Sequence, residues 1–182
     1  MQFLSTRQAP ARLRFMTKSP WRAAGPLFAI GGTLSAVGAV IFAGSSPAAG
    51  SMTTLAGLLL EGIAFILFGR GLRGTGLPTL ARWLFLIAGS IDILFTLLAA
   101  LWVNIESTAI VLLVVNTLLI VVASLTLVSY HAVARPLGWA FVVLAVCLAI
   151  NMLSGSPATL VLVGAVYVTI GVLLITGSRS RK

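Results

Sequence analysis

The stretch MTTLAGLLLEGIAFILFGRGLR, residues 52–73, decides the fold of this chain. Its apolar part, Met52 to Gly69, holds a single charged side chain and is long enough to cross a hydrocarbon core of about 30 Å as a helix. Arg70 and Arg73 follow directly, as basic residues do where a membrane span reaches the cytoplasm. The stretch therefore predicts a transmembrane helix that ends at the cytoplasmic face.

Five further apolar runs of similar length lie on either side of this one. They are approximately Gly25 to Ala43, Trp83 to Val103, Thr108 to Ser129, Leu137 to Leu153 and Ala158 to Gly177. The breaks between runs hold turn formers and helix breakers, namely Ser45-Ser46-Pro47, Gly74-Thr75-Gly76-Leu77-Pro78, Asn104-Ile105-Glu106, Ala134-Arg135-Pro136 and Ser154-Gly155-Ser156-Pro157. The runs are continuous and do not alternate as β-barrel strands do. They predict an all-α protein with six transmembrane helices.

The composition places these helices in lipid. Hydrophobic residues make up 59% of the 182 residues and charged residues only 8%, whereas soluble domains carry about a quarter charged residues. We expect a basic cytoplasmic segment at 1–23, one membrane domain at 24–177 and a basic cytoplasmic tail at 178–182, with no separate water-soluble domain. The bias towards Ala, Gly, Leu and Arg, with only two Lys, is compatible with a GC-rich bacterial genome and hence with a bacterial inner membrane.

All twelve Lys and Arg residues fall on one side of this six-span topology. They occupy the N-terminal segment, the second and fourth connections and the tail, whereas the other three connections contain only Glu106 as a charged residue. The positive-inside rule then predicts that both termini are cytoplasmic. We interpret the basic residues as topology determinants and contacts to anionic lipid headgroups rather than a nucleic-acid surface. Those nearest the spans are Arg22, Arg70, Arg73, Arg82, Arg135, Arg179, Arg181 and Lys182.

The six spans are arranged as three tandem helical hairpins. Each odd-numbered span opens with a basic residue and a nearby Trp: Trp21-Arg22, then Arg82-Trp83, then Arg135 with Trp139. A hairpin contains an even number of spans, so these repeats are parallel and not inverted.

The first and third hairpins resemble the HdeD-like acid-resistance membrane proteins. In the first hairpin the similar positions run from Arg22 through Gly31-Gly32 and Gly38 to Pro47. In the third they are Pro157, Gly164, Tyr167, Gly171 and the tail from Arg179 to Lys182. The middle hairpin departs from the pattern, because its outer turn has no Pro and its return helix has no Gly. The resemblance implies a six-helix inner-membrane protein associated with survival in acid, with no catalytic residues to carry over.

Small residues form stripes on two of the predicted helices. Gly31, Ser35 and Gly38 share one face of the first helix, and Gly164 and Gly171 frame Tyr167 on the sixth. Small residues at helical spacing let backbones approach closely in a membrane. The stripes predict helix packing, with a ligand groove as the alternative.

Glu61 and Asp92 are the most informative polar residues. A carboxylate near the middle of a span costs about 3 kcal/mol on insertion scales. Glu61 lies nine residues before Arg70 and Asp92 ten residues after Arg82, so both are predicted at roughly 14 to 15 Å from the cytoplasmic end. If both point inward, they would share protons, because desolvation and like-charge repulsion disfavour two ionised carboxylates.

Thr96 and Asn116 are the candidate polar partners of this pair. Thr96 follows Asp92 by four residues on the same helix face. Asn116 is expected about 6 Å farther outward, which makes Thr96 the closer candidate. Two interpretations remain open: a proton-responsive carboxylate pair, or neutral hydrogen-bonded residues that hold helices together.

The sequence contains no Gly-rich phosphate loop, HExxH motif or nucleophile elbow, and it has one His and one Cys. We therefore expect neither enzyme activity nor a metal or other cofactor. The predicted function is a stress or acid-tolerance role in the membrane. The alternatives are a small proton-coupled transporter or channel, and an accessory subunit that packs against a larger membrane complex. The partners expected besides the lipid bilayer are a second copy of the chain, in a homo-oligomer, or a larger membrane complex.

Overall fold

The computed structural model describes residues 20–44, 46–72, 77–101 and 106–179, and these residues form six helices. In chain order they are α1 (Pro20–Gly44), α2 (Pro47–Gly71), α3 (Leu77–Ala100), α4 (Glu106–Ser129), α5 (Arg135–Ser154) and α6 (Pro157–Arg179). The described ranges contain no strand. All six helices are long and apolar enough to cross a membrane. The predicted all-α, six-span class is therefore confirmed, and the protein is a multi-pass integral membrane protein.

The helix ends differ from the predicted spans because proline starts these helices. Pro47 and Pro157 are the first residues of α2 and α6, and Pro78 and Pro136 are the second residues of α3 and α5. We had placed all four in the breaks. The first N–H groups of a helix have no partner within it, so proline removes nothing there, and its fixed φ suits the first turn. Glu106 likewise opens α4 instead of lying in a turn.

The helices also extend beyond the apolar runs. Residues 20–23 belong to α1 and residues 178–179 to α6, although we had assigned them to the terminal segments. Continued helix keeps backbone groups hydrogen-bonded through the headgroup region. Residues 1–19 of the N-terminal segment and Arg73, Arg181 and Lys182 lie outside the described residues.

The six helices form a closed ring. Each helix packs against the next in chain order, and α6 packs against α1. The hairpins α1–α2, α3–α4 and α5–α6 are present, but α2–α3, α4–α5 and α6–α1 are in contact as well. The tandem hairpins are thus closed into one bundle, and the sequence did not predict this closure.

Large apolar side chains cover the outside of the ring. Ile30, Leu94, Leu118, Val146 and Val172 are all about half exposed. Exposed apolar side chains around the whole perimeter suit a hydrocarbon solvent and not water. The ring therefore presents its apolar surface to lipid.

The basic residues gather at one end of the ring, which we call the basic end; the opposite end is the far end. Arg70 ends α2, Arg82 lies in the second turn of α3, and Arg135 begins α5. Arg82 also lies over the ring of Trp83, with its guanidinium carbon 5.9 Å from the centroid. Because the helices alternate in direction, the backbones of Arg22 and Arg179 reach the same end.

The cytoplasmic location of the basic end stays a prediction, which cysteine labelling would test. In a Cys147→Ala background, a cysteine at Ser154 lies at the far end and one at Tyr130 at the basic end, both exposed. We expect an impermeant maleimide to label Ser154→Cys in intact cells and Tyr130→Cys only after the membrane is opened. The Cys147→Ala protein without a new cysteine is the control for background labelling. Labelling of Tyr130→Cys in intact cells would reverse the orientation.

Candidate functional site

Glu61 and Asp92 point into the bundle, where α2 and α3 pack together. Glu61 is 1% exposed and Asp92 is 9% exposed. A Cβ placed on Gly62 would lie 3.0 Å from the Cβ of Asp92, so the two helices touch at the level of the carboxylates. The equal depth expected from the sequence is confirmed by this contact. Asp92 is close enough to Glu61 for direct electrostatic interaction.

Each carboxylate accepts a hydrogen bond from a neutral side chain on another helix. The Ser35 hydroxyl of α1 donates to Oε1 of Glu61 over 2.8 Å. The Asn116 amide of α4 donates through Nδ2 to Oδ1 of Asp92 over 2.5 Å. The two hydrogen bonds therefore link α1 to α2 and α3 to α4. Both donors are neutral side chains, so the negative charge of the carboxylates is not compensated. We call Ser35, Glu61, Asp92 and Asn116 the carboxylate cluster.

The ranking of Thr96 ahead of Asn116 was wrong. The Thr96 hydroxyl donates to the main-chain oxygen of Asp92 over 2.8 Å, the usual bond of a threonine to its own helix. Asp92 lies eight residues before the end of α3, and Asn116 lies ten residues after the start of α4. Measured from their shared connection, they lie about 12 Å and about 15 Å deep, a difference that side chains bridge. The depth of Asn116 predicted from the sequence differs because it is counted from the opposite end of α4.

One atom of the carboxylate cluster has no partner. The Oδ1 atom of Asn116 is buried and no described residue donates a hydrogen bond to it. A buried acceptor without a donor costs about 1 to 3 kcal/mol. Asn116 is held by Asp92 through its Nδ2 atom only, so the cluster has one donor too few.

Tyr167 of α6 is a member of the site that sequence reasoning assigned only to packing. It is 2% exposed and close enough to both Glu61 and Asp92 to interact with them electrostatically. Its ring stacks on Phe28 with 5.8 Å between centroids. The sequence held one signal of this role, because Tyr167 is a polar aromatic residue between Gly164 and Gly171 of the small-residue stripe.

The predicted small-residue stripes lie at close helix contacts, between α1 and α2 and between α1 and α6. Gly31 and Gly38 of α1 face α2, where a Cβ on Gly31 would lie 2.9 Å from Cγ of Glu61. Gly164 and Gly171 of α6 face α1. Ser35 lies on the same stripe as Gly31 and Gly38, and the close approach brings its hydroxyl to Glu61. The stripe therefore also positions one member of the carboxylate cluster.

Aromatic rings fill the centre of the bundle between the carboxylate cluster and the basic end. Phe141 of α5 lies 4.7 Å from Phe68 and 5.2 Å from Phe85, centroid to centroid. Phe65 stacks on Phe85 at 5.7 Å. We call this set the aromatic plug; its members are Phe28, Phe65, Phe68, Phe85, Phe141 and Tyr167. The sequence alone did not indicate it, because its rings come from five helices.

A cavity of about 640 Å³ lies on the other side of the carboxylate cluster, at the far end. Residues from α1, α2, α3, α5 and α6 and from the α5–α6 connection line it, and we call it the vestibule. Leu58 and Phe95 of its lining are one helical turn from Glu61 and Asp92 respectively. The carboxylate cluster thus separates the vestibule from the aromatic plug.

Within the described residues, no group of three or more His, Cys, Asp or Glu side chains could hold a metal ion. Comparisons with known protein families, with characterised proteins and with solved structures give no match for this chain. The function must therefore be argued from the geometry of the carboxylate cluster, the aromatic plug and the vestibule.

Proposed function

We propose that this chain is a bacterial inner-membrane protein of stress or acid tolerance, and that Glu61 and Asp92 are its proton-responsive element. The resemblance to HdeD-like proteins supports the acid-tolerance role, and the carboxylate cluster supports the proton response. The protein has no enzymatic function in this proposal and requires no cofactor.

The unpaired Oδ1 of Asn116 is the observation that carries the proposal. A carboxylate is an acceptor only, whereas a protonated carboxyl group is also a donor. An amide and a carboxylic acid can form two parallel hydrogen bonds, one from N–H to carbonyl oxygen and one from O–H to carbonyl oxygen. Only the first can form while Asp92 is ionised. A proton on Asp92 supplies the missing donor, so proton uptake strengthens the contact between α3 and α4.

The surroundings of the pair contain no positive charge that would keep both carboxylates ionised. Among the described residues, α1 contributes Ser35 and α4 contributes Asn116, both neutral, and α6 contributes Tyr167. The nearest arginines along α2 and α3, Arg70 and Arg82, are nine and ten residues away, or roughly 14 to 15 Å. Two ionised carboxylates in a buried site without a cation are costly. The charge of the cluster therefore changes with pH.

The aromatic plug distinguishes this role from that of an open channel. Its rings pack between the carboxylate cluster and the basic end with centroid separations of 4.7 to 6.5 Å, as in a close-packed protein interior. In this proposal protons reach the carboxylates from the side of the vestibule, whose lining residues Leu58 and Phe95 are one helical turn away. A proton that reaches Asp92 changes helix packing and is not passed on through the plug.

An acid-challenge experiment tests the proposal. A deletion strain would carry wild type, Glu61→Gln, Asp92→Asn or the double substitution, with membrane levels checked by immunoblot. We expect wild type to restore survival and the substituted proteins, at equal levels, to approach the empty vector. These amides keep the shape of the carboxyl groups but cannot titrate.

Glu106→Gln is the matched control, because it makes the same chemical change at the start of α4, away from the cluster. It should protect as well as wild type. Equal protection by all versions would show that Glu61 and Asp92 are packing residues. Failure of wild type to protect would reject the acid-tolerance role and direct attention to an accessory subunit.

A further inference from the structure

The vestibule has the size and lining of a small-molecule site. Its volume of about 640 Å³ lies within the range of roughly 300 to 1,000 Å³ that ligand pockets occupy. Its walls are largely apolar, with a few polar side chains that include Ser51, Thr54 and Asn151. Apolar walls with few polar groups accept a ligand with an apolar body.

The electrostatics of the far end select a cation. Of the three acidic residues in the chain, Glu106 begins α4 at this end, and Glu61 and Asp92 lie one turn below the vestibule floor. The basic residues placed by the structure are all at the basic end. The charged side chains that the structure places near the vestibule are therefore all acidic, and they attract a cation and repel an organic anion.

The vestibule is lined by two aromatic rings, and one of them lies close to the carboxylates along the chain. Phe42 and Phe95 belong to its lining, and aromatic faces attract cations, most strongly when water is excluded. Phe95 and Asp92 lie three residues apart on one face of α3. A cationic group at the floor would therefore lie beside the Phe95 ring and about one helical turn from the carboxylate cluster.

We propose that the vestibule binds a small monovalent organic cation with an apolar body, and that this cation competes with protons for the carboxylate cluster. The inference rests on the proposed function, because the cluster attracts a cation only while it is ionised. Protonated Asp92 pairs with Asn116 and loses its charge, so acid releases the ligand. The acid response and the cation binding thus involve the same carboxylate cluster.

Tetraphenylphosphonium and tetraphenylborate are suitable probes because they have the same shape and opposite charge. Equilibrium dialysis would measure the binding of both to the purified full-length protein in mild detergent. We expect tetraphenylphosphonium to bind at about pH 8 at least roughly tenfold more tightly than tetraphenylborate, and to weaken by a similar factor at about pH 5. Equal binding of both ions, or no binding of the cation, would overturn the proposal.

Two neighbouring alanines provide a matched pair of variants. Ala99 lines the vestibule, whereas Ala100 is exposed on the outside of α3. Ala99→Phe fills the cavity and should weaken tetraphenylphosphonium binding at least roughly tenfold, and Ala100→Phe should leave it unchanged. Equal affinities for the two variants would contradict a site in the vestibule. Size-exclusion chromatography checks that both are folded, and Asp92→Asn, which should also weaken binding, provides a second test.

The two proposals fail separately. If Asp92→Asn abolishes acid survival but wild type does not bind tetraphenylphosphonium, the cation site is rejected and the proton-responsive pair stands. If tetraphenylphosphonium binds in a pH-dependent way but Asp92→Asn protects cells fully, the acid-tolerance role is rejected and the cation site stands.

Discussion

Replacement of Gly32 with valine is expected to abolish accumulation of folded protein in the membrane. Gly32 lies where α1 crosses α6, and a Cβ there would lie 2.6 Å from the Cβ of Tyr167 and even closer to the main-chain oxygen of Gly164. Neither atom is the end of a flexible side chain, so the helices would have to separate. Overpacking alone costs about 1 to 3 kcal/mol, and separation of α1 from α6 opens the ring.

Gly177→Val is the control for this substitution. Gly177 lies on α6, and a Cβ there would meet no atom within 4 Å. Fluorescence-detected size-exclusion chromatography of a fusion protein would compare the two variants. We expect a monodisperse peak for Gly177→Val and aggregate or no protein for Gly32→Val. Equal peaks for both would mean that α1 and α6 are not held as closely as the structure shows.

Truncation of Phe141 in the aromatic plug is expected to destabilise the protein by about 3 to 5 kcal/mol, the usual cost of a buried Phe→Ala change. Phe141 is fully buried and has ring contacts with four other phenylalanines: Phe28, Phe65, Phe68 and Phe85. Thermal denaturation in detergent would measure the loss as a lower Tm.

The same substitution should open the path that the aromatic plug closes. Phe141→Ala removes the ring that joins α5 to the rings of α2 and α3. In vesicles with a trapped pH-sensitive dye, we expect Phe141→Ala to conduct protons faster than wild type. Val143→Ala is the control, because Val143 lies on the same helix and is half exposed to lipid. An unchanged Tm and an unchanged proton flux for Phe141→Ala would show that the rings neither stabilise nor seal the bundle.

The class of the protein was predictable because a membrane imposes it locally. A run such as Met52 to Gly69 must be helical, since backbone groups in hydrocarbon have to bond within their own segment. The equal depth of Glu61 and Asp92 was predictable for a related reason, because the rise per residue along a helix is constant. The predicted starts of α2 and α6 were wrong because Pro47 and Pro157 were interpreted as helix breakers and not as the first residues of a helix.

Contacts between helices were less predictable, because they depend on rotation and stagger. The bond from Asn116 to Asp92 depends on how α4 is shifted against α3, and the bond from Ser35 to Glu61 on how closely α1 approaches α2. Neither quantity is encoded in the apolar runs. The glycine stripes indicated close approach but did not name the partner helix.

By itself, the sequence determined that this chain has six spans long enough to cross a membrane, that its basic residues share one end and that two of the spans carry a carboxylate at one depth. Each follows from the length of an apolar run or from position along it. Only the tertiary structure decided that the helices close into a ring, that an amide and a hydroxyl hold the carboxylates, and that an aromatic plug and a vestibule lie on opposite sides of them. These features bring together residues from up to five helices, and close packing in three dimensions is what selects them.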